Sequence, residues 1–152
     1  MYWFFGALAL VIVVMAVYFG GIKRFYDKIP WWDKTVHFLA GVLFSSFGAR
    51  LAIVSGAGLS VFHAVAFGFT LAVTLHVVWE LIEYFLDLKF CTNNQRWQQR
   101  YRHNFGTGEV KQSQLHMGAN TPQPSGLADT VSDTVSCIAG AAATCAVMLL
   151  VL

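Results

Sequence analysis

The chain has 152 residues, 57% of them hydrophobic and 12% charged, with a formal net charge of +2. Soluble domains carry about 25% charged residues, so half that value excludes an ordinary water-soluble domain and points to the membrane class. So small a charge, with no basic stripe interleaved with aromatics, gives no footing for nucleic acid.

Hydrophobic runs of about 20 residues mark spanning helices. Four are expected, at about 3–22, 35–55, 60–88 and 127–152, within a single all-α domain covering 1–152. The first run is followed by Lys23 and Arg24 rather than preceded by basic residues. That is the reverse of a secretory signal, so a retained helix is expected.

The second run opens on Asp33 and His37, and Asp33, His37, Gly41, Ser45 and Gly48 form one helical stripe. The short Gly56–Gly58 connection predicts a tight hairpin into the third run. That run is longer than a bilayer requires and must tilt or project. Its closing half places His76, Glu80, Glu83 and Asp87 four, three and four apart.

A polar loop follows at about 89–126, in which 95–102 reads either as an amphipathic stretch on anionic headgroups or as a plain linker. The fourth run opens with Asp129 and Asp133. Its stripe continues through Ser132, Ser136, Gly140 and Thr144, small residues that permit close helix approach. Cys91, Cys137 and Cys145 have no metal-ribbon spacing and read as packing residues. His63 is expected at an interface, and His103 and His116 in solvent.

Lysines and arginines set the orientation. Loop one holds Lys23, Arg24, Lys28 and Lys34; loop three holds Lys89, Arg96, Arg100, Arg102 and Lys111; loop two holds none, with Arg50 able to snorkel outward. By the positive-inside rule loops one and three are cytoplasmic and both termini outside. Trp31, Trp32, Trp79, Tyr84 and Tyr26 then form a cytoplasmic aromatic belt.

This topology brings the acidic ends of three spans to one depth. Carboxylates inside a membrane are functional-site hypotheses by default, and several together cannot all ionise without a cation or protons. The neutraliser is a divalent metal (Mg, Mn, Zn or Fe), a basic side chain such as Lys34, Lys28 or a loop-three arginine, or protons. His37, Glu80 and Asp133 are the central metal-ligand candidates, with His76, Glu83, Asp33 and Asp129 around them. Glu83 is also the candidate general base. The bland alternatives make Asp33 and Asp129 first-turn caps, Glu83 a headgroup-exposed acid and His76 a packing residue.

The runs Asp33-Lys34-Thr35-Val36-His37-Phe38-Leu39-Ala40-Gly41, Trp79-Glu80-Leu81-Ile82-Glu83 and Asp129-Thr130-Val131-Ser132-Asp133-Thr134 resemble, in order and spacing, those of YjdF-type bacterial inner-membrane proteins. More distantly they are similar to VanZ-like proteins. The resemblance implies a small multi-pass protein of the bacterial cytoplasmic membrane. VanZ-like proteins are associated with glycopeptide (teicoplanin) resistance, without an established reaction.

The expected function is a multi-pass membrane protein with a cytoplasmic-side His/carboxylate site, using a metal on a lipid or lipid-linked substrate. Its partners are the bilayer and, through the basic loops, anionic headgroups. Di-iron chemistry needs paired Glu-x-x-His helices, which are missing here. Two alternatives stand beside it. One is a proton- or cation-coupled carrier, for which four spans are few and a homo-oligomer is expected. The other is a non-catalytic membrane factor whose polar cluster only fixes packing.

Overall fold

The computed structural model describes residues 2–23, 25, 29, 31–56, 58–90 and 125–152. All regular structure among them is helical: α1 (Tyr2–Val13) running into a π-helical stretch (Val14–Ile22), α2 (Trp32–Val54), α3 (Val61–Phe90) and α4 (Ser125–Val151). The stretch expected at 95–102, together with Cys91, His103 and His116, lies outside the described residues.

Three helices are long and apolar enough to cross a membrane, over Trp32–Val54, Val61–Leu86 and Leu127–Val151. The first run is helical over Tyr2–Ile22, about the length expected, but only part of it is strongly apolar. Its apolar helix covers Phe5–Gly20, shorter than the others. From Val14 onward it winds as a π-helix, closing with Lys23 N–H donating to the Tyr18 carbonyl at 2.8 Å. The wider i→i+5 turn covers less axial distance per residue. Trp32 Nε1 donates to the Met15 carbonyl inside this stretch at 3.3 Å, and the Trp32 ring lies edge-on to Phe25. Trp32 therefore packs half-buried against this stretch, while Trp31 remains exposed.

The α2–α3 connection is tight. Gly56 and Gly58 take φ of +71° and +64°, the left-handed region that glycine enters without a Cβ penalty and that ends helices.

The described chain forms two compact units. In the first (Met1–Val78 with Asp133–Leu152), α2 is approached by both α3 and α4. A Cβ on Gly68 would meet the Ser45 carbonyl oxygen and the Ala49 amide of α2. One on Gly41 would meet the Cys137 carbonyl oxygen, and one on Gly140 the Phe38 carbonyl oxygen. These are backbone-to-backbone approaches, the way membrane helices gain dispersion contact without a hydrophobic drive between them. Around them Ala49, Ala64, Ala72, Cys137 and Ala141 are fully or almost fully buried. Helix α1 joins through an edge-on Phe5–Phe47 pair.

The second unit (Trp79–Ser132) contains the end of α3 and the start of α4. Its α3 segment exposes Leu81, Ile82, Tyr84, Phe85 and Leu86.

The close approach makes a direct prediction. Gly41→Val places a branched side chain against the α4 backbone and should cost about 1–3 kcal/mol or more, read as a lower Tm in detergent. Gly6→Ala meets nothing within 4 Å and should hold or slightly raise the Tm. Equal melting of Gly41→Val and the wild type would contradict this packing.

Candidate metal centre

The stripe expected on α2 is the buried one. Asp33, His37, Gly41, Ser45 and Gly48 are all buried, on the side toward α3 and α4. On α4 the buried line runs Asp129, Asp133, Cys137, Gly140 and Ala141. It is therefore rotated slightly from the expected stripe: Cys137 is fully buried, while Ser136 and Thr144 are only partly so.

Because Gly41 and Gly140 bring α2 and α4 together, the residues one and two turns earlier face each other. His37 Nε2 lies 3.5 Å from Asp33 Oδ1 and 3.9 Å from Asp133 Oδ2. Asp33 and His37 are one helical turn apart on α2, so the pair is set locally, and α4 supplies the second carboxylate. Each of the three residues offers a ligand atom within 4.8 Å of the others, and all three are buried. One imidazole and two carboxylates at that spacing are geometrically suited to a divalent cation of the Mg, Mn, Zn or Fe type.

Two neighbours complete the arrangement. Lys34 Nζ lies 3.6 Å from Asp133 Oδ1; its side chain is 38% exposed while that of Asp133 is 3% exposed. Lys34, one of the basic counter-charges open from the sequence, is thus at this carboxylate; Lys28 and the loop-three arginines lie outside the described residues. Deeper along α3, the His76 ring stands edge-on to His37, with centroids 5.0 Å apart. His76 Nε2 hydrogen-bonds the Thr134 hydroxyl at 3.1 Å. His76 thus touches both the imidazole and the residue beside Asp133. Thr134 escaped the sequence reading; the signal was its position three and seven residues before the buried Cys137 and Ala141.

The remaining candidates fall as follows. Asp33 is not the cap of α2: the cap is Trp31, without a side-chain cap bond, and Asp33 sits buried in the first turn against His37. Asp129 lies about one turn inside α4, which starts at Ser125, so it is not a cap either. Glu80 is buried one turn beyond His76 on α3. Glu83 is half-buried and accepts a 2.8 Å hydrogen bond from Trp79 Nε1. Glu80, Glu83 and Asp129 belong to the second unit. His63 is exposed and bonds Ser60 Oγ at 2.7 Å at the start of α3.

A family described as a predicted membrane protein (DUF2238) matches residues 1–152, and the chain belongs to that family. No curated protein and no solved structure matches it.

The ion pair to Lys34 can be weighed by a double-mutant cycle. Lys34→Met leaves the buried Asp133 without its ammonium and should lower the Tm more than Asp133→Asn does, because an uncompensated buried charge is the costlier defect. The double variant should recover part of the loss, with a coupling of about 0.5–3 kcal/mol. Strict additivity would remove Lys34 from the site.

Proposed function

We propose that this DUF2238 member is a multi-pass membrane protein that holds a divalent cation on Asp33, His37 and Asp133 and uses it on a lipid or lipid-linked substrate. The observation that carries the reading is that these three ligand atoms converge, buried, from two helices. A hydrophobic protein does not hold two carboxylates out of water without something to neutralise them.

Within this reading Asp33 and Asp133 supply oxygen ligands and His37 its Nε2. His76 orients the His37 ring. Lys34, half out in solvent, serves as counter-ion to Asp133 and swings aside or onto a phosphate when the cation enters. The bound cation would polarise a phosphoryl or carbonyl oxygen of the substrate. The lysines and arginines of loops one and three favour the cytoplasmic face for this site and attract anionic headgroups to it. The resemblance to YjdF-type and VanZ-like proteins is part of the same reading, since its matched residues include Asp33, His37 and Asp133.

One observation favours a second reading. Two carboxylates and Lys34 leave the group with one net negative charge, and a single proton on His37 neutralises it. A site balanced by protons suits an ion-coupled carrier, built as an oligomer because the chain is small.

Calorimetric titration of chelator-stripped protein in detergent separates the two. The metal reading predicts one Mn²⁺ or Zn²⁺ per chain, with affinity lowered by about 10–100-fold or more in His37→Gln and Asp133→Asn. Absence of stoichiometric binding by folded wild-type protein, with pH-driven flux in reconstituted vesicles, would overturn it in favour of the carrier.

A further inference from the structure

The other end of the first unit carries a lone cation. Arg50 is the only Asp, Glu, Lys or Arg in 35–79, and segments 1–22 and 134–152 contain none. It lies inside the Trp32–Val54 span, half-buried, and its Nε is buried without a hydrogen-bond partner. Among the described residues it makes no ion pair. Asp33, the acid on its own helix, is about 25 Å away along the axis at 1.5 Å per residue. Helix α4 runs beside α2 in the same direction, His37 meeting Asp133, Gly41 meeting Cys137 and Ala141, and Val42 and Ser46 facing Ala143 to Met148. That register keeps Asp133 at the level of His37, equally remote from Arg50. A guanidinium one turn inside the end of a span still favours an anionic acceptor, and among the described residues Arg50 has none.

An apolar cleft begins one turn before it on α2. Val42 and Ser46 of α2 line the cleft with Ala143, Thr144, Val147 and Met148 of α4. Val42, Ser46 and Arg50 are successive by four residues, so the cleft and the guanidinium share one stripe of α2. The Ser46 hydroxyl is turned back onto the Val42 carbonyl at 2.6 Å, leaving this wall of the cleft apolar.

From these two features we propose that Arg50 and the α2–α4 cleft form a phospholipid site. The phosphodiester sits on the guanidinium and an acyl chain lies in the cleft. Charge complementarity selects the occupant: the planar fork of arginine matches phosphate oxygens, and one anionic headgroup balances one cation. The cleft below it offers apolar walls at acyl-chain depth. This site lies at the opposite end of the helices from Asp33, His37 and Asp133 and does not depend on their metal chemistry.

Native mass spectrometry of the protein in detergent, with added phosphatidylglycerol, tests the proposal. Wild-type protein should retain one phosphatidylglycerol per chain. Arg50→Gln should weaken retention about tenfold, the scale of one lost charge-assisted hydrogen bond, and Arg50→Lys should lie between them. Ala143→Phe fills the cleft while keeping the charge and should also expel the lipid. Far-UV circular dichroism and monodisperse elution establish that each variant is folded. Equal retention by wild type, Arg50→Gln and Ala143→Phe overturns the proposal. So does Arg50-dependent binding of inorganic phosphate without retained lipid, or a cleft filled by a second copy of the chain in a lipid-free dimer.

Discussion

The site depends on one approach: α2 and α4 in contact through their backbones at Gly41 and Gly140. With no side chain at either position, the helices close until a Cβ on one would strike a carbonyl of the other. Only at that separation do short aspartate side chains from both helices reach a single imidazole. Packing and chemistry are therefore set by the same residues. Whatever loosens Gly41 against Cys137 also carries Asp133 away from His37.

The same geometry makes the polar group expensive to build and hard to change. Asp133 is nearly inaccessible, and its compensation comes from Lys34 at the edge and His37 within. Burying a charge is tolerable only when its partners are in place. His76 adds a further brace, since its ring contacts His37 while its nitrogen bonds Thr134. A group so supported from α2, α3 and α4 has its ligand directions set before any ligand arrives, the condition under which binding carries little reorganisation cost.

Much of this was legible from spacing alone. The α2 stripe from Asp33 to Gly48 is the buried face, because five polar or small residues at helical intervals have only one side on which to avoid lipid. The existence of the other helices was equally plain. What was not legible turns on single residues. On α4, Ser136 and Cys137 are adjacent and differ by about 100° in direction, and only the neighbouring helices decide that the thiol faces inward. Lys34 could not be separated from Lys28 or the loop-three arginines by composition. The π winding at Val14 has no proline or polar insertion to announce it; the chain there is apolar and largely exposed, so no buried face marks its register. Asp33 does sit in the first turn that acids favour, but buried against His37, while α4 begins early enough to place Asp129 one turn inside it. Asp33, ranked around the centre rather than in it, joins His37 and Asp133 in the group within the first unit.

The most direct measurement is of the atoms around a bound ion. Electron spin-echo envelope modulation of Mn²⁺-loaded protein reports whether an imidazole nitrogen is coordinated. If Asp33, His37 and Asp133 hold the cation, the spectrum will show modulation from one histidine nitrogen that disappears in His37→Gln. Bound Mn²⁺ with no nitrogen coupling, or with a coupling unchanged by that substitution, would place the ion elsewhere and contradict the account.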